Sequence, residues 1–359
     1  MKNQMKNQMK TPMNIVDEKS VRVDLLGGTI DIWPLNIIIP DVITINLATS
    51  LKVRVEIEET DFDGIEIDSK DYNSCTKIPS SDLTKENIYI QRKFAALTFI
   101  IQLLDYFKLN KNLKITTASS IPAGSGLGGS SALGIALFSS LCKYTNKSKQ
   151  NKQHDIKIVQ DIEANALDMG PTGYQDYYPA LYGGILGLKS SPGNIDVEQL
   201  YTPELKQYLE ENISLIYSGE TRYSALNNWE VFKKFFDKDS SANSSVRKQL
   251  HQISAHSYEG YQAIKDKDYE KLKDSIIKEG EVRKELCPTI VTKQMSSLLS
   301  ELKKQSQKSN KEIGIKVCGA GGGGCFLLVH KKNDLPLIMD KIKEFSMKAM
   351  EFKIMNPLL

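Results

Sequence analysis

The stretch Ile121-Pro-Ala-Gly-Ser-Gly-Leu-Gly-Gly-Ser-Ser-Ala-Leu-Gly134 holds five glycines and two adjacent serines. It lies between an apolar run typical of a strand, 113–117, and an apolar run typical of a helix, 132–142. Glycine allows tight turns and close approach to a ligand, and a helix start offers unpaired N–H groups and a positive dipole end. The combination predicts a phosphate-binding loop. A glycine-rich turn capped by serine is the alternative.

Three common nucleotide-binding motifs do not fit this stretch. Gly124-x-Gly126-x-x-Gly129 matches the dinucleotide fingerprint, but residues 145–153 offer no acidic partner for a ribose. The Gly-Lys-Ser/Thr ending of a P-loop is missing, so no lysine follows the glycines. The His-Arg-Asp and Asp-Phe-Gly motifs of protein kinases are absent. A phosphate loop here must therefore work through backbone N–H groups and the helix dipole.

Composition indicates an ordinary globular protein. The chain has 359 residues, 40% of them hydrophobic and 25% charged, which predicts two domains with a sizeable core. A net charge of +3 from 47 basic and 44 acidic residues indicates a mixed surface and no nucleic-acid partner. Five cysteines without a Cys-x-x-Cys pair favour reduced thiols in the cytoplasm. The longest apolar stretch, 94–107, is too short to span a bilayer, so we expect no membrane partner.

Hydrophobic periodicity predicts an α+β protein. We expect a disordered tail at 1–15, an N-terminal nucleotide-binding domain at 16–192 and a C-terminal domain at 193–359. The boundary is placed at Ser190-Ser-Pro-Gly193, and 144–153 is predicted as a surface loop. Predicted strands cover 21–26, 51–59, 113–117, 183–188, 213–217, 315–318 and 325–330. Predicted helices cover 94–107, 130–143, 156–169, 224–237, 246–265, 268–285 and 289–305.

Two carboxylates flank a helix-breaking segment and could converge on one site. Glu163 lies on a predicted helix, and Asp176 follows Gly170-Pro-Thr-Gly173. A nucleotide site needs a magnesium ligand to neutralise phosphate charge, and it can use a carboxylate beside the acceptor hydroxyl as a base. The alternatives are a solvated helix surface for Glu163 and a turn-capping role for Asp176.

Two further segments carry candidate site residues. In 316–329, five glycines separate two apolar strands, more than a hairpin needs, which predicts close approach of this backbone to something outside the hairpin. A simple flexible turn is the alternative. Near the start, Arg22 lies in a predicted strand and Asp31 follows a glycine turn. Arginine can bind phosphate in a bidentate manner, and aspartate accepts hydrogen bonds from sugar hydroxyls. The alternative for each is an ordinary surface residue.

Together these segments resemble the galactokinase–homoserine kinase–mevalonate kinase–phosphomevalonate kinase (GHMP kinase) superfamily. The loop at 122–132 and the late glycine loop at 319–324 are specific as a pair, and the likeness spans nearly the whole chain. Residues 173–184, 27–31 and 218–222 resemble heptose-7-phosphate kinases and fucokinases, which phosphorylate a sugar at its anomeric hydroxyl. The resemblance implies an S5-like N-terminal domain and a ferredoxin-like C-terminal domain.

The resemblance also implies roles for individual residues. Asp176 would be the base or orienting carboxylate with Arg22 as its charged neighbour, and Ser130 and Glu163 would bind Mg²⁺, with Ser131 as the alternative to Ser130. ATP would be bound by the loop residues Pro122, Gly124, Ser125, Gly126, Leu127, Gly128, Gly129, Ser130 and Ser131. A sugar or sugar phosphate would be bound by Asp31, Gly173, Gln175, Arg222, Gly321 and Gly322. The protein would be a monomer or homodimer.

The chain departs from the family pattern in three places. The Glu163–Asp176 segment is one residue longer than expected, and residues 27–31 read Gly-Gly-Thr-Ile-Asp instead of Gly-Gly-Gly-Thr-Asp. After Asp31 the usual Gly-Gly is replaced by the apolar run Trp33-Pro-Leu-Asn-Ile-Ile-Ile-Pro40. This run motivates one alternative, a kinase of an isoprenoid precursor such as mevalonate. The other alternative is a regulator that binds nucleotide and sugar without turnover.

Overall fold

A computed structural model describes residues 14–148, 151–168, 172–220, 228–239, 241–305 and 312–358. The strands in these ranges are β1 (Ile15–Leu26), β2 (Ile43–Glu59), β3 (Gly64–Ser69), β4 (Ser74–Pro79), β5 (Leu113–Ser119), β6 (Ile185–Ser191), β7 (Asn194–Gln199), β8 (Ile213–Tyr217), β9 (Gly314–Val317), β10 (Cys325–Val329) and β11 (Lys348–Ala349). The α-helices are α1 (Leu35–Ile38), α2 (Thr98–Tyr106), α3 (Gly129–Tyr144), α4 (Lys152–Leu167), α5 (Tyr178–Tyr182), α6 (Pro203–Asn212), α7 (Asn228–Phe236), α8 (Asn243–Lys265), α9 (Tyr269–Leu286), α10 (Lys293–Gln305) and α11 (Leu335–Glu344).

The chain divides into two compact units whose sequence segments alternate. The first contains residues up to 19, 53–119 and 133–168, and the second contains 20–52, 120–132 and 169 onwards. The division between the units falls inside β2 and inside α3, so each of these two elements has residues in both units. A boundary at 192/193 stays a prediction. None of the helices in the described ranges is both long and apolar enough to cross a membrane.

Pairing among strands β1 to β7 is both antiparallel and parallel. In the first unit, the second half of β2 pairs antiparallel with β5, β5 runs parallel to β3, and β3 pairs antiparallel with β4. In the second unit, the first half of β2 pairs antiparallel with β6, and β6 with β7. Alternating buried and exposed residues in the second half of β2 are typical of a strand with one solvated face.

In the second unit a smaller antiparallel sheet has the order β11-β8-β10-β9. All five residues of β10 are buried, and Phe326 pairs with Ile216 on one side and Val317 on the other. Side chains of Phe326 and Leu328 belong to a hydrophobic cluster that includes residues of helices α7 to α11. The α+β class is thereby confirmed.

In the first unit, close packing of helices explains a glycine inside α3. A Cβ on Gly134 would lie 2.5 Å from Phe99 of α2 and 2.7 Å from Val159 of α4. The amide of Gln102 on α2 donates to Asn165 on α4 at 2.9 Å. This packing holds α4, the helix that carries Glu163.

Several element boundaries differ from the sequence predictions. The α-helix predicted at 94–107 begins only at Thr98, after a 3-10 turn at Ala95–Leu97. The predicted surface loop 144–153 ends earlier, because Asn151 caps α4 by accepting from the backbone N–H of His154. Of the helix predicted at 224–237, residues 224–227 lie outside the described ranges, and β1 begins at Ile15, inside the predicted tail.

The structure accounts for two unusual segments of the sequence, the predicted domain boundary at 190–193 and the apolar run at 32–40. Residues 190–193 are the end of β6 and the turn of the β6–β7 hairpin, in which Ser191 pairs with Asn194. The apolar run 32–40 is divided between two environments. Ile32, Leu35 and Ile39 belong to the hydrophobic cluster, whereas Trp33, Ile37 and Ile38 are exposed.

Candidate active site

The glycine loop leads directly into a helix, as the sequence predicted. Gly124, Gly126 and Gly128 have φ values of 72°, 80° and 70°, a region that favours glycine. Helix α3 begins at Gly129 and continues for 16 residues. Its first N–H groups have no partner within the helix and carry the positive end of the dipole. This geometry fits an anion such as phosphate.

The late glycine loop approaches the first glycine loop. The backbone N–H of Cys325 donates to the carbonyl oxygen of Ser125 at 2.7 Å. A Cβ on Gly126 would lie 2.5 Å from the Cys318 carbonyl oxygen, and a Cβ on Gly324 would lie 2.7 Å from that of Gly124. The close approach predicted for the late loop is therefore made to residues 124–126.

Gly321 and Gly322, which the resemblance assigned to substrate binding, contact Ile290. The N–H of Gly322 donates to the carbonyl oxygen of Ile290 at 2.9 Å. A Cβ on Gly321 would lie 2.2 Å from the Ile290 side chain. Packing against Ile290 thus accounts for the lack of a side chain at position 321.

Arg22 joins Asp176 to the glycine loop. Its Nε and Nη2 donate to Asp176 Oδ1 at 2.9 and 2.6 Å, and its Nη1 donates to the Gly126 carbonyl oxygen at 2.6 Å. Arg22 is buried, and burial alone would lower its pKa. The charges of Asp176 and Asp24 outweigh burial and raise the pKa of Arg22. The Asp176 side chain keeps 26% of its exposure, so the carboxylate remains accessible beside the loop.

Asp31 lies against residues 173–175. The backbone N–H of Gln175 donates to Asp31 Oδ2 at 3.4 Å, and a Cβ on Gly173 would lie 2.1 Å from the same oxygen. Asp31 is buried, and burial together with the charges of Asp176 and Asp24 raises its pKa to about 7. A side chain at position 173 would therefore displace the Asp31 carboxylate, and Asp31 belongs to the same charged group as Asp176.

The predicted metal ligands have different environments. Glu163 on α4 is 2% exposed and engaged with other residues, so the alternative of a solvated helix surface is wrong. At the start of α3, Ser130 is exposed and Ser131 is buried. Among the residues that the structure describes, no three His, Cys, Asp or Glu side chains form a metal-binding group.

Pro122, Leu127 and Asp176 each accept a hydrogen bond near the glycine loop. Pro122 accepts from the N–H of Ser125 at 3.1 Å, which closes the turn that opens the loop, and the Leu127 side chain is buried. The carbonyl oxygen of Leu127 accepts from the N–H of Arg22 at 3.0 Å. Asp176 binds Arg22 with its side chain, which explains the residue without a turn-capping role. Arg222 lies outside the described residues.

Sequence reasoning missed a group of buried charges behind the site: Asp24, Glu279, Arg283 and Lys316 are each at most 3% exposed. A signal was present in the spacing. Asp24 follows Arg22 by two positions in β1, which puts both on one face of the strand. Glu279 and Arg283 are four apart in α9, which puts both on one face of the helix.

Comparison with known proteins finds similarity to GHMP kinases. Residues 90–184 match the family model described as the GHMP kinases N terminal domain. The bifunctional fucokinase/GDP-fucose pyrophosphorylase of Arabidopsis thaliana is 25% identical over 353 residues. That match covers 94% of this chain and 32% of the plant protein, so the chain spans about a third of its relative.

Solved structures share the fold over almost the whole chain. The Methanococcus jannaschii mevalonate kinase superposes with a TM-score of 0.71 at 20% identity, covering 96% of this chain and 99% of that chain. The D-glycero-D-manno-heptose 1-phosphate kinase of Bacteriodes thetaiotaomicron gives 0.70 at 19% identity, covering 96% and 97%. At these identities the likeness establishes the fold, and the residues of the site must support the chemistry.

Proposed function

We propose that this chain is a GHMP kinase, which its 90–184 segment and its fold support, and that it uses ATP and Mg²⁺ to phosphorylate the anomeric hydroxyl of a sugar or sugar phosphate. The observation that carries the proposal is the contact of Arg22 with both Asp176 and the Gly126 carbonyl oxygen. One guanidinium thereby brings a candidate base beside the candidate phosphate loop.

The proposed reaction assigns a task to each part. The acceptor hydroxyl oxygen forms a bond to the γ-phosphorus of ATP, the bond from that phosphorus to the β–γ bridging oxygen breaks, and ADP leaves. Asp176 orients the acceptor hydroxyl and takes its proton. Arg22 balances the charge of Asp176, and the N–H groups at the start of α3 bind phosphate oxygens.

The proposed magnesium ligands come from helix α4 and from the start of helix α3. Magnesium, when bound, neutralises charge on the ATP phosphates. It commonly takes one or two carboxylates together with phosphate oxygens and water, and therefore needs no cluster of three acidic side chains. The proposed protein ligands are Glu163 and the hydroxyl of Ser130, with Ser131 as the alternative to Ser130.

The surroundings of Asp31 favour a sugar over mevalonate as the acceptor. Its carboxyl group, held against Gly173 and Gln175, is suited to hydrogen bonds with hydroxyl groups. The apolar run 32–40 is weaker support for mevalonate than the sequence alone suggested, because Ile32, Leu35 and Ile39 are core residues. The fucokinase named in the plant relative supports the same choice.

An acceptor screen tests the proposal. ADP release would be measured with free sugars, sugar phosphates and mevalonate, and each active sugar would be repeated as its 1-O-methyl glycoside. We expect turnover with a reducing sugar and none with its methyl glycoside, because the methyl group blocks the anomeric oxygen. Turnover with mevalonate alone would refute sugar specificity. Calorimetric binding of ATP and sugar without phosphorylation of any acceptor would support the regulator.

A further inference from the structure

Four buried charged residues form one network behind the candidate site. Lys316 Nζ lies 3.0 Å from Asp24 Oδ2 and 3.4 Å from Glu279 Oε1, and Arg283 Nη1 lies 3.5 Å from Asp24 Oδ2. Two of these residues are acidic and two are basic. We call these four residues, Asp24, Glu279, Arg283 and Lys316, the ionic network.

Glu279 connects the network to the turn that carries Asp31. Its Oε2 accepts a hydrogen bond from the backbone N–H of Gly27 at 2.7 Å. The next residue is equally confined, since a Cβ on Gly28 would lie 2.1 Å from Asp24 Oδ2 and 3.2 Å from Gln175 Nε2. The network therefore fixes the backbone three to four residues before Asp31.

Arg283, one helical turn after Glu279, connects the network to the late glycine loop. Its Nη1 donates to the Val317 carbonyl oxygen at 2.9 Å, and its Nη2 donates to the Gly319 carbonyl oxygen at 2.6 Å. A Cβ on Gly319 would lie 3.0 Å from the Gly126 carbonyl oxygen, the same atom that accepts from Arg22. The late glycine loop thus packs directly against the first glycine loop, and a shift of one would displace the other.

We propose that Glu279 and Arg283 are positioning residues with separate tasks, Glu279 for the acceptor side through the 27–31 turn and Arg283 for the nucleotide side through the late glycine loop. The division of tasks rests on the proposed kinase function, whereas the two backbone attachments do not. A buried ion pair is a poor source of stability, because desolvation offsets its Coulomb attraction. What the network supplies is directed hydrogen bonds from one rigid helix to two turns.

Hydrogen–deuterium exchange tests the attachments without any need for turnover. The variants are Glu279→Gln and Arg283→Lys, and the controls are Glu281→Gln and Lys284→Gln, which change exposed residues of the same helix. We expect faster exchange in peptides covering 27–31 for Glu279→Gln and in peptides covering 318–325 for Arg283→Lys, with neither change in the controls. Unchanged exchange in both segments, or the same increase throughout the chain, would overturn the proposal.

Two additions keep the test decisive. If Glu279→Gln does not fold, the charge-balanced double variant Glu279→Gln/Lys316→Met is measured in its place with the same expectation. With an acceptor identified, Glu279→Gln should raise KM for the acceptor, and Arg283→Lys should raise KM for ATP, each by about tenfold to a hundredfold. Equal effects of each variant on both KM values would refute the division of tasks, and an absence of turnover in the unmodified protein would refute only the kinase function.

Discussion

At the scale of single residues, Arg22 shows why the site uses arginine and not lysine. The planar guanidinium directs Nε and Nη2 at Asp176 and, on its other edge, Nη1 at the Gly126 carbonyl oxygen. An ammonium group is a compact charge without this fixed fork. The direction in which the Asp176 carboxylate points and the position of the loop are therefore fixed by one side chain.

Asp176→Asn separates the proposed base from its geometric role. Asparagine keeps the size of the side chain and an oxygen that can accept from Arg22, but it cannot take a proton. Turnover should fall by about a hundredfold or more, the usual scale for loss of a general base. ATP affinity should change little, because the loop is unaltered. Steady-state kinetics and calorimetry measure the two quantities, with Asp196→Asn on β7 as a control.

Near-normal turnover of Asp176→Asn would contradict the assignment of Asp176 as a base. An equal loss in the Asp196→Asn control would show that the assay responds to something other than the site. Unfolding of Asp176→Asn would appear as a lowered Tm. It would indicate that the Asp176 carboxylate is needed to balance the charge of Arg22, whose pKa the charge of Asp24 also raises.

The raised pKa of Asp31 predicts a pH dependence of stability. The pKa of its carboxyl group is about 7 in the folded protein, against an ordinary value of 3.8, so the folded chain holds this proton more tightly. The resulting stabilisation is complete below the ordinary value and is lost as pH rises through about 7. Between about pH 5 and pH 8, the Tm of the unmodified protein should fall relative to that of Asp31→Asn.

The charges that face Asp31 are those of Asp176, Asp24 and Arg22. Because all three remain in Asp31→Asn, the difference between the two proteins reports on position 31 itself. Thermal unfolding at four pH values across this range is sufficient. A Tm difference that stays constant with pH, or that changes in the opposite direction, would rule out a raised pKa at Asp31.

At the scale of elements, the contact between the two glycine loops gives a test with a matched control. An alanine at Gly126 would adopt an unfavourable positive φ and place its Cβ 2.5 Å from the Cys318 carbonyl oxygen. An alanine at Gly193, also at positive φ, would meet nothing within 4 Å. Both variants should lose about 1 kcal/mol or somewhat more from the backbone conformation. Only Gly126→Ala should also lose ATP affinity, by about tenfold or more.

Calorimetric titration with ATP and thermal unfolding distinguish the two effects. If Gly126→Ala binds ATP as tightly as Gly193→Ala does, the contact with the late loop is not required for the nucleotide site. A loss of affinity in Gly193→Ala would mean that backbone strain alone, far from the loops, accounts for the result.

Local sequence patterns predicted several elements closely but missed others, among them β3, β4, β7, α6 and α11. The strand at 213–217 was predicted to the residue, and the helices at 246–265 and 268–285 differ from α8 and α9 by at most three residues at either end. The reason is that strands of alternating or continuous apolar residues and long amphipathic helices carry strong periodic signals. The turn at 190–193 carried the composition of a linker, and only the pairing of β6 with β7 shows that it is a hairpin.

Only those residues of the candidate site that lie in recognisable sequence motifs could be predicted. Arg22 and Asp176 were predicted to be neighbours, and the structure brings them together across 154 positions of sequence. The ionic network was missed because its members come from β1, α9 and β9, and the pairing of buried charges depends on tertiary packing. The late glycines were predicted to approach something, but the partner, residues 124–126, follows only from the fold.

At the scale of the whole molecule, the two proposed roles of carboxylates, magnesium binding by Glu163 and base catalysis by Asp176, should be separable by their dependence on magnesium. Glu163 belongs to the first unit, whereas Arg22, Asp31 and Asp176 belong to the second. The second unit alone contains the contact between the glycine loops and the ionic network that supports it. Substitution of Glu163 and substitution of Asp176 should both impair the proposed reaction, but with a different dependence on magnesium.

Glu163→Gln provides this test. Glutamine keeps the size of the side chain but removes the negative charge that favours a hard cation such as Mg²⁺. Activity should be low at limiting magnesium and should recover in part at excess magnesium, because mass action compensates for a weakened site. Asp176→Asn should show no such recovery, since a missing base cannot be replaced by more metal.

The matched control is Asp161→Asn, which removes an exposed carboxylate from the same helix and should leave the magnesium dependence unchanged. Ser130→Ala and Ser131→Ala complete the series, because only the serine that binds the metal should share the behaviour of Glu163→Gln. Steady-state kinetics over a magnesium titration measures all five variants. Recovery of Asp176→Asn by magnesium, without recovery of Glu163→Gln, would reverse the roles proposed for the two carboxylates. A magnesium dependence identical in Glu163→Gln and the unmodified protein would leave Glu163 as a buried structural residue of α4.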